Sequence, residues 1–256
     1  MLVVLAVAGM SAISPIPSPE GFASLESHGL LLGVLATILA VALGFGAWGG
    51  VHVAGVATID LGVHCLPGVG GTWPLTLVIV LALYAGLLGA FGPLRRRVDW
   101  FVRGRIDRVS VLLAVSFTVL AAIALVLWRF TSGADMTRYR AFVPTDIATP
   151  WVFLGLIPFA ALNAAFEEIL WRGALWRELE RPWGRAAALV ITSVSFGLAH
   201  ARGFPSGVVG VGLATIYGVM MGIIRMRTRG LLGPWAAHVI ADVVIYAMVV
   251  AMVVGR

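Results

Sequence analysis

The last hundred residues of this chain carry ionisable side chains inside apolar stretches, and the first group is an acidic pair with an arginine. Glu168 precedes Arg172 by four residues, so on a helix the two share a face and can pair. Glu167 is turned about 100° away, onto the face that carries Asn163. One carboxylate can therefore be neutralised while the other serves as a general base. A helix-end ion pair without a catalytic role explains the motif equally well.

Two histidines follow in later apolar stretches. His200 ends the first of these, one helical turn after Phe196, whose ring would pack on the imidazole. His238 precedes Asp242 by four residues, so the carboxylate can accept from one ring nitrogen and fix the tautomer. Each histidine could instead be a hydrogen-bonded core residue, and the pair of His238 and Asp242 could be a proton relay.

Together these side chains favour acid–base chemistry over covalent catalysis. A glutamate, two histidines and an aspartate on three apolar stretches can activate water and stabilise an oxyanion. No serine or cysteine has a clear base partner, and the single Cys65 excludes an internal disulfide or a multi-cysteine metal site. Zinc is the alternative, with Glu167, His200 and His238 as ligands. No paired-histidine motif supports zinc, so no cofactor is predicted.

The elements that position these residues are expected to be membrane helices. Of the 256 residues, 60% are hydrophobic and 12% are charged, and the mean hydropathy is +1.00. A soluble domain has about 25% charged residues, so this chain has too little polar surface for a globule in water. The net charge of +6 indicates arginine-rich loops beside anionic lipid, not a nucleic-acid partner.

Apolar runs of about 20 residues predict an all-α, polytopic membrane bundle of seven or eight transmembrane helices. Seven runs are Gly29–Trp48, Trp73–Gly92, Val109–Trp128, Trp151–Trp176, Arg185–Ala201, Gly207–Ile224 and Leu231–Val254. The run Met1–Ile13 is an eighth span, a signal-like segment or an interfacial helix, and Ser14–Glu20, with three prolines, is a linker. Residues 1–150 hold N-terminal helices of unassigned role, and residues 151–256 form the candidate catalytic core.

Arginine counts predict the orientation in the membrane. Twelve arginines fall in three loops, namely Arg95, Arg96, Arg97, Arg103, Arg105, Arg108, Arg177, Arg181, Arg185, Arg225, Arg227 and Arg229. The opposite loops hold four, namely Arg129, Arg138, Arg140 and Arg202. By the positive-inside rule the arginine-rich loops are cytoplasmic, and Gly49–Thr72 and Phe130–Pro150 lie outside.

The same topology separates two candidate catalytic residues in depth. His200 is fifteen residues beyond Arg185, or roughly 22 Å along a helix. Glu167 lies only a few residues from the cytoplasmic end of its predicted span. The two side chains would not meet in a plain bundle, unless the fifth segment is tilted or re-entrant or the stretch 171–185 turns inward.

Three ordered motifs resemble the CPBP family, also called Abi, which comprises the type II CAAX prenyl proteases and their bacterial relatives. Residues 167–173, Glu-Glu-Ile-Leu-Trp-Arg-Gly, are similar to the family's Glu-Glu-x-x-x-Arg signature. Phe196-x-x-x-His200 and His238-x-x-x-Asp242 are similar to its second and third motifs, and residues 225–234 resemble the approach to the third. The resemblance covers roughly residues 151–250.

The resemblance implies a membrane-embedded endopeptidase that forms no covalent intermediate and acts on a peptide or membrane-protein substrate, in a bacterial cell membrane. By position, Glu167 with His200 would activate the attacking water, and His238 with Asp242 would face the oxyanion. The supporting residues would be Glu168, Arg172 and Phe196. Relatives with Asn at the position of Asp242 have an amide donor there. An ionised aspartate cannot donate, so Asp242 is protonated or orients His238.

Two functions other than proteolysis stay open. The chain could be an ion- or proton-coupled transporter that uses Glu167 and His238, although paired inverted repeats with broken helices are not found. It could also be a catalytically silent binding or immunity protein of the same fold, which would tolerate Glu167→Ala. A peptidase requires Glu167, His200 and His238 around one water-accessible cavity. The substrate, and whether it is prenylated, is not assigned.

Overall fold

The computed structural model describes residues 25–66, 68–69, 75–132, 149–201 and 203–254, and every regular element among them is helical. The order is α1 Leu25–Gly44, α2 Trp48–His64, α3 Leu75–Ala90, α4 Gly92–Arg95, α5 Arg108–Thr131, α6 Thr149–Glu168, a π-helical segment Ile169–Leu175, α7 Trp176–Ala199, α8 Gly207–Thr228 and α9 Leu232–Val254. The predictions for Met1–Ile13 and Ser14–Glu20 concern residues outside the described part.

Four described helical stretches are long and apolar enough to cross a membrane, namely Arg108–Thr131, Pro150–Ala199, Gly207–Thr228 and Leu232–Ala251. The apolar helices Leu32–Gly44 and Leu75–Ala90 are shorter. Many large aliphatic side chains on these helices are exposed, as expected where lipid replaces water. The chain is therefore a helical integral membrane protein. Judged by length and composition, the described residues contain four such stretches, and not the seven or eight spans that the sequence predicted.

A buried helix occupies the segment that was expected to be an outside loop. Within Gly49–Thr72, α2 packs between α1 and α3, and most of its residues are buried. The loop prediction was wrong because His52, Asp60 and His64 interrupt the apolar run. Polar residues lower the mean hydropathy of a segment even when their side chains face protein and not lipid.

The helix that carries the acidic pair changes geometry directly after Glu168. The π-helical segment Ile169–Leu175 begins there, and its residues are almost all buried. Such segments occur frequently at functional sites. Farther along, α7 is kinked at Gly184, with φ 77° and ψ 175°, a conformation that glycine adopts without strain. The predicted fourth and fifth spans are therefore connected by the π-helical segment and the first part of α7, up to the kink at Gly184.

Close approach of α7 to α8 depends on glycines that face the neighbouring helix. A Cβ atom on Gly197 would lie 1.9 Å from Oγ1 of Thr215, and one on Gly218 would lie 2.9 Å from Cα of Ser193. Small residues allow membrane helices to pack at this distance. The contact places the end of α7, where the second motif lies, against the middle of α8.

The three arginine-rich loops meet at one end of the bundle. Arg177 and Arg181 both donate to Oδ2 of Asp99, at 3.0 and 2.6 Å. Arg227 pairs with Asp107, the residue that caps α5. Since each ion pair joins two of the loops, the loops share one side of the bundle, as the sequence predicts. Their placement in the cytoplasm stays a prediction.

Candidate active site

The continuous helix through the π-helical segment brings Glu167 to mid-bundle. Glu167 is ten residues from Arg177, at the arginine-rich end, and Asp242 is ten residues beyond Leu232, where α9 begins. For Asp242 this corresponds to roughly 15 Å at about 1.5 Å per residue of α-helix. The helix continues past residue 176, so Glu167 is farther from the end of its helix than the predicted span Trp151–Trp176 implied. Glu167 and His200 line the same cavity.

One cavity of about 320 Å³ is lined by all four residues for which a catalytic role was predicted, namely Glu167, His200, His238 and Asp242. They come from three elements, since Glu167 lies on α6, His200 follows α7 and the other two lie on α9. Most of the remaining wall is aliphatic or aromatic. Few, convergent polar groups in an apolar cavity are typical of a binding or active site.

His238 lies between three carboxylates. Its Nδ1 is 2.7 Å from Oε1 of Glu168, and its Nε2 is 3.4 Å from Oε2 of Glu167 and 3.7 Å from Oδ1 of Asp242. Because the carboxylate of Glu168 accepts, Nδ1 is assigned the proton and Nε2 is directed toward Glu167. The distance to Asp242 exceeds a hydrogen bond, so Glu168, and not Asp242, fixes the tautomer.

Glu168 and Arg172 form the ion pair that their spacing predicts. The two side chains are 3.0 Å apart and each is 1% exposed. The guanidinium also donates to the carbonyl oxygen of Gly218 at 3.2 Å and lies 4.5 Å from the ring centroid of Phe196. Since Glu168 also accepts from His238, one carboxylate links α6 to α9, and its arginine partner contacts α7 and α8.

Asn163 joins the other two carboxylates of the site. Its Nδ2 donates to Oε1 of Glu167 at 3.3 Å and to Oδ2 of Asp242 at 3.0 Å. The sequence placed Asn163 on the face of Glu167 but gave it no role. Oε2 of Glu167 is buried and has no hydrogen-bond partner among the described residues. The ionisable group next to this oxygen is the imidazole of His238, whose Nε2 lies 3.4 Å away.

His200 lines the cavity from the end of α7. Its Nδ1 lies 2.8 Å from the carbonyl oxygen of Phe196, and the two rings are tilted with centroids 4.3 Å apart. Nδ1 therefore donates to the backbone, which leaves Nε2 for water or a ligand. No hydrogen bond joins His200 to Glu167 in the part of the chain that is described. The two would act together only through a molecule between them.

Tyr217 of α8 is a site residue that sequence reasoning missed. Its ring packs edge-on against His238, with centroids 5.3 Å apart, and it lines the same cavity. Its buried hydroxyl has no hydrogen-bond partner within the described ranges. A single tyrosine in an apolar helix looks like any other core residue in the sequence. Tyr217 also has no ionisable partner one turn away that would have indicated a role.

The alternative zinc site is not assembled as a ligand cluster. Within residues 25–254, apart from the stretches not described, no group of three or more His, Cys, Asp or Glu side chains is placed to hold a metal ion. Of the three suggested ligands, His238 uses Nδ1 for Glu168 and His200 uses Nδ1 for Phe196. Independence from a metal stays a prediction for a chelator experiment.

Comparison with known protein families agrees with these motifs. Residues 149–244 match the family described as type II CAAX prenyl endopeptidase Rce1-like. The matched segment contains all three motifs, so the resemblance to the type II CAAX protease family is confirmed over it. No curated protein and no solved structure matches the chain.

Proposed function

We propose that this protein is an intramembrane endopeptidase that hydrolyses a peptide bond with a water molecule activated by Glu167. The observation that carries the proposal is the cavity in which Glu167, His200 and His238 converge. The matched family, whose description names an endopeptidase, supports the same class of reaction.

The proposed reaction begins with water between the carboxylate of Glu167 and Nε2 of His200. Glu167 takes a proton as the water attacks the scissile carbonyl, and later gives that proton to the departing amine. The tetrahedral oxyanion is stabilised by two donors, His238 carrying a second proton on Nε2 and the hydroxyl of Tyr217. No bond forms between protein and substrate at any step.

Asp242 and Glu168 position the side chains that take part in this reaction. The hydrogen bond from Asn163 keeps Asp242 in place, and an imidazolium at His238 is compensated by the surrounding carboxylates. Glu168 directs the ring through Nδ1. Both carboxylates are positioning groups in this proposal, since neither needs to touch the reacting atoms.

The lining of the cavity supports a proposal for the class of substrate. The site lies roughly 15 Å from the arginine-rich end, by the helical rise of about 1.5 Å per residue, and its wall includes Leu120, Leu125 and Phe166. An apolar peptide segment that lies in the membrane, or enters it from the cytoplasmic surface, fits such a cavity. Whether the substrate carries a prenyl group is a separate question.

The test compares peptide cleavage by wild type, Glu167→Gln and His200→Ala, purified in detergent and assayed with a mixed peptide library read by mass spectrometry. We expect Glu167→Gln to lower the rate by at least about 10²-fold, the scale of a lost general base. Glu180→Gln is the matched control, since Glu180 pairs with Arg185 away from the cavity.

Equal cleavage by all variants would end the proposal. A chelator titration on wild type separates the zinc alternative, which predicts loss of activity and recovery on adding zinc. If the chain is instead a catalytically silent binding protein or a transporter, the wild-type protein should cleave no peptide.

A further inference from the structure

A second pair of aspartate and histidine lines the cavity on a wall that the proposed reaction does not use. Asp60 and His64 lie one turn apart at the end of α2, and both line the cavity. Helix α2 lies outside residues 149–244, so the family match gives these side chains no role.

His64 is fixed by its own helix and presents one free nitrogen. Its Nδ1 lies 2.8 Å from the carbonyl oxygen of Asp60 and 3.4 Å from the carboxylate of the same residue. The side chain is 6% exposed, and Nε2 has no hydrogen-bond partner among the described residues. Leaving a buried polar atom without a partner is costly, so a polar ligand group that reaches this wall gains an interaction.

Asp60 is the accessible carboxylate of this wall. Its side chain is 20% exposed, more than that of Glu167 or Asp242. In the described part of the chain His64 is the only basic side chain within 4 Å of it. The other two cavity carboxylates are bonded to Asn163. Asp60 is therefore free to bind a cation.

The charges around the cavity favour a cationic ligand group. The acidic side chains and histidines that line it are three carboxylates and three imidazoles, namely Asp60, Glu167, Asp242, His64, His200 and His238. None of the described arginines lines it, and the chain has no lysine. Because the rest of the wall is apolar, a positive charge is attracted more strongly there than in water.

We propose that Asp60, beside His64, binds a lysine or arginine side chain of a peptide substrate that occupies the cavity. The inference rests on the proposed peptidase function and adds a preference for a basic residue. Leu77 and Leu120 line the same cavity and would cover the aliphatic stem of that side chain. His64 lies beside that carboxylate and offers Nε2 to the substrate.

The test uses three peptides that differ at one position. Apolar peptides, acetylated and amidated so that no terminal charge remains, carry Lys, norleucine or Glu at a position scanned along the chain. Their affinity for Glu167→Gln protein is measured by fluorescence anisotropy in detergent. At one position we expect the Lys peptide to bind about tenfold more tightly than the norleucine peptide, which is the scale of one modest charge interaction. The Glu peptide should bind most weakly.

The variants assign that preference to Asp60. In the Glu167→Gln background, Asp60→Asn and Asp60→Ser should reduce the ratio of Lys to norleucine affinity to about twofold or less, and Asp60→Glu should retain most of it. Thr58→Val is the matched control, because Thr58 lies on the same helix and bonds only to the carbonyl of Ala54. It should keep the full ratio. Elution as a single species verifies folding of each variant.

Two outcomes overturn the inference: no preference for Lys at any position, or a preference that survives both Asp60→Asn and Asp60→Ser. Binding is measured without hydrolysis, so failure of the peptidase proposal is distinguishable. In that case wild type cleaves no peptide while the Asp60-dependent preference for Lys remains. If wild type cleaves peptides but the affinity ratio does not depend on Asp60, only the present inference fails.

Discussion

Nδ1 of His238 lies 2.7 Å from Oε1 of Glu168, so the second glutamate of the acidic pair holds the histidine of the last motif. The same carboxylate pairs with Arg172 at 3.0 Å. Two residues 70 positions apart are thereby locked together in the buried interior. The relationship gives Glu168 a definite task, which is to fix the tautomer and direction of His238.

Removing the charge of Glu168 should destabilise the protein through Arg172. In Glu168→Gln the buried guanidinium loses its counter-ion, which costs about 3–5 kcal/mol for such pairs. We expect a lower midpoint of thermal unfolding in detergent. The double variant Glu168→Gln/Arg172→Met should recover part of the loss, because no charge is left unpaired. A double variant less stable than the single one would contradict this account.

Asp242→Asn should retain activity, whereas Asp242→Leu should lose it. The amide oxygen of an asparagine can still accept the bond from Asn163, and its amino group adds a donor toward the cavity. Leucine offers neither. Initial rates of peptide cleavage check the prediction, with unfolding midpoints as the control for folding. Equal loss in both variants would show that the negative charge itself is required.

Tyr217→Phe should lower kcat and leave KM nearly unchanged. The hydroxyl is proposed to bond only to the oxyanion, so its loss affects the transition state and not the bound substrate. We expect a decrease of about 10²-fold, as for other single oxyanion donors. Stability should not change, because no described residue bonds to this hydroxyl. A change confined to KM would assign Tyr217 to substrate binding.

Asp99 should make stability depend on pH at the arginine-rich end. Burial alone would raise the pKa of Asp99, but the hydrogen bonds and charges of Arg177 and Arg181 outweigh it and hold the pKa below its usual value. The resulting stabilisation is present above the unfolded pKa of about 3.9 and is lost as pH falls through the lower folded value.

Because Asp99 is more than one third exposed, we expect its effect to be at most about 1 kcal/mol. The difference in unfolding midpoint between wild type and Asp99→Asn, measured at low salt, should be largest at neutral pH and should shrink below about pH 4. A difference that is independent of pH would exclude the ion pairs as its cause.

Labelling of single cysteines tests the orientation. On a Cys65→Ser background, Arg103→Cys should react with an impermeant maleimide only after the cells are permeabilised, because the arginine-rich end is predicted to be cytoplasmic. Phe130→Cys, at the other end of α5 and 82% exposed, should react in intact cells. The reverse pattern would invert the proposed topology.

The sequence by itself determined the helical membrane class, the three motifs and the pairing of Glu168 with Arg172. These follow from local properties, since apolar length and four-residue spacing are readable along one helix. The same locality explains the failures. Helix α2 was missed because its buried polar residues lower its hydropathy, and the extension of the acidic helix past residue 176 has no signal in a count of apolar residues.

Only the tertiary structure decided which side chains meet. The contact of His238 with Glu168, the bridge from Asn163 to Asp242, and the place of Tyr217 and Asp60 in one cavity join residues far apart in sequence. Such contacts depend on how closely helices pack and how far each helix runs before it ends. Composition and spacing within single helices contain neither quantity, which is why the residues were found from sequence and their partners were not.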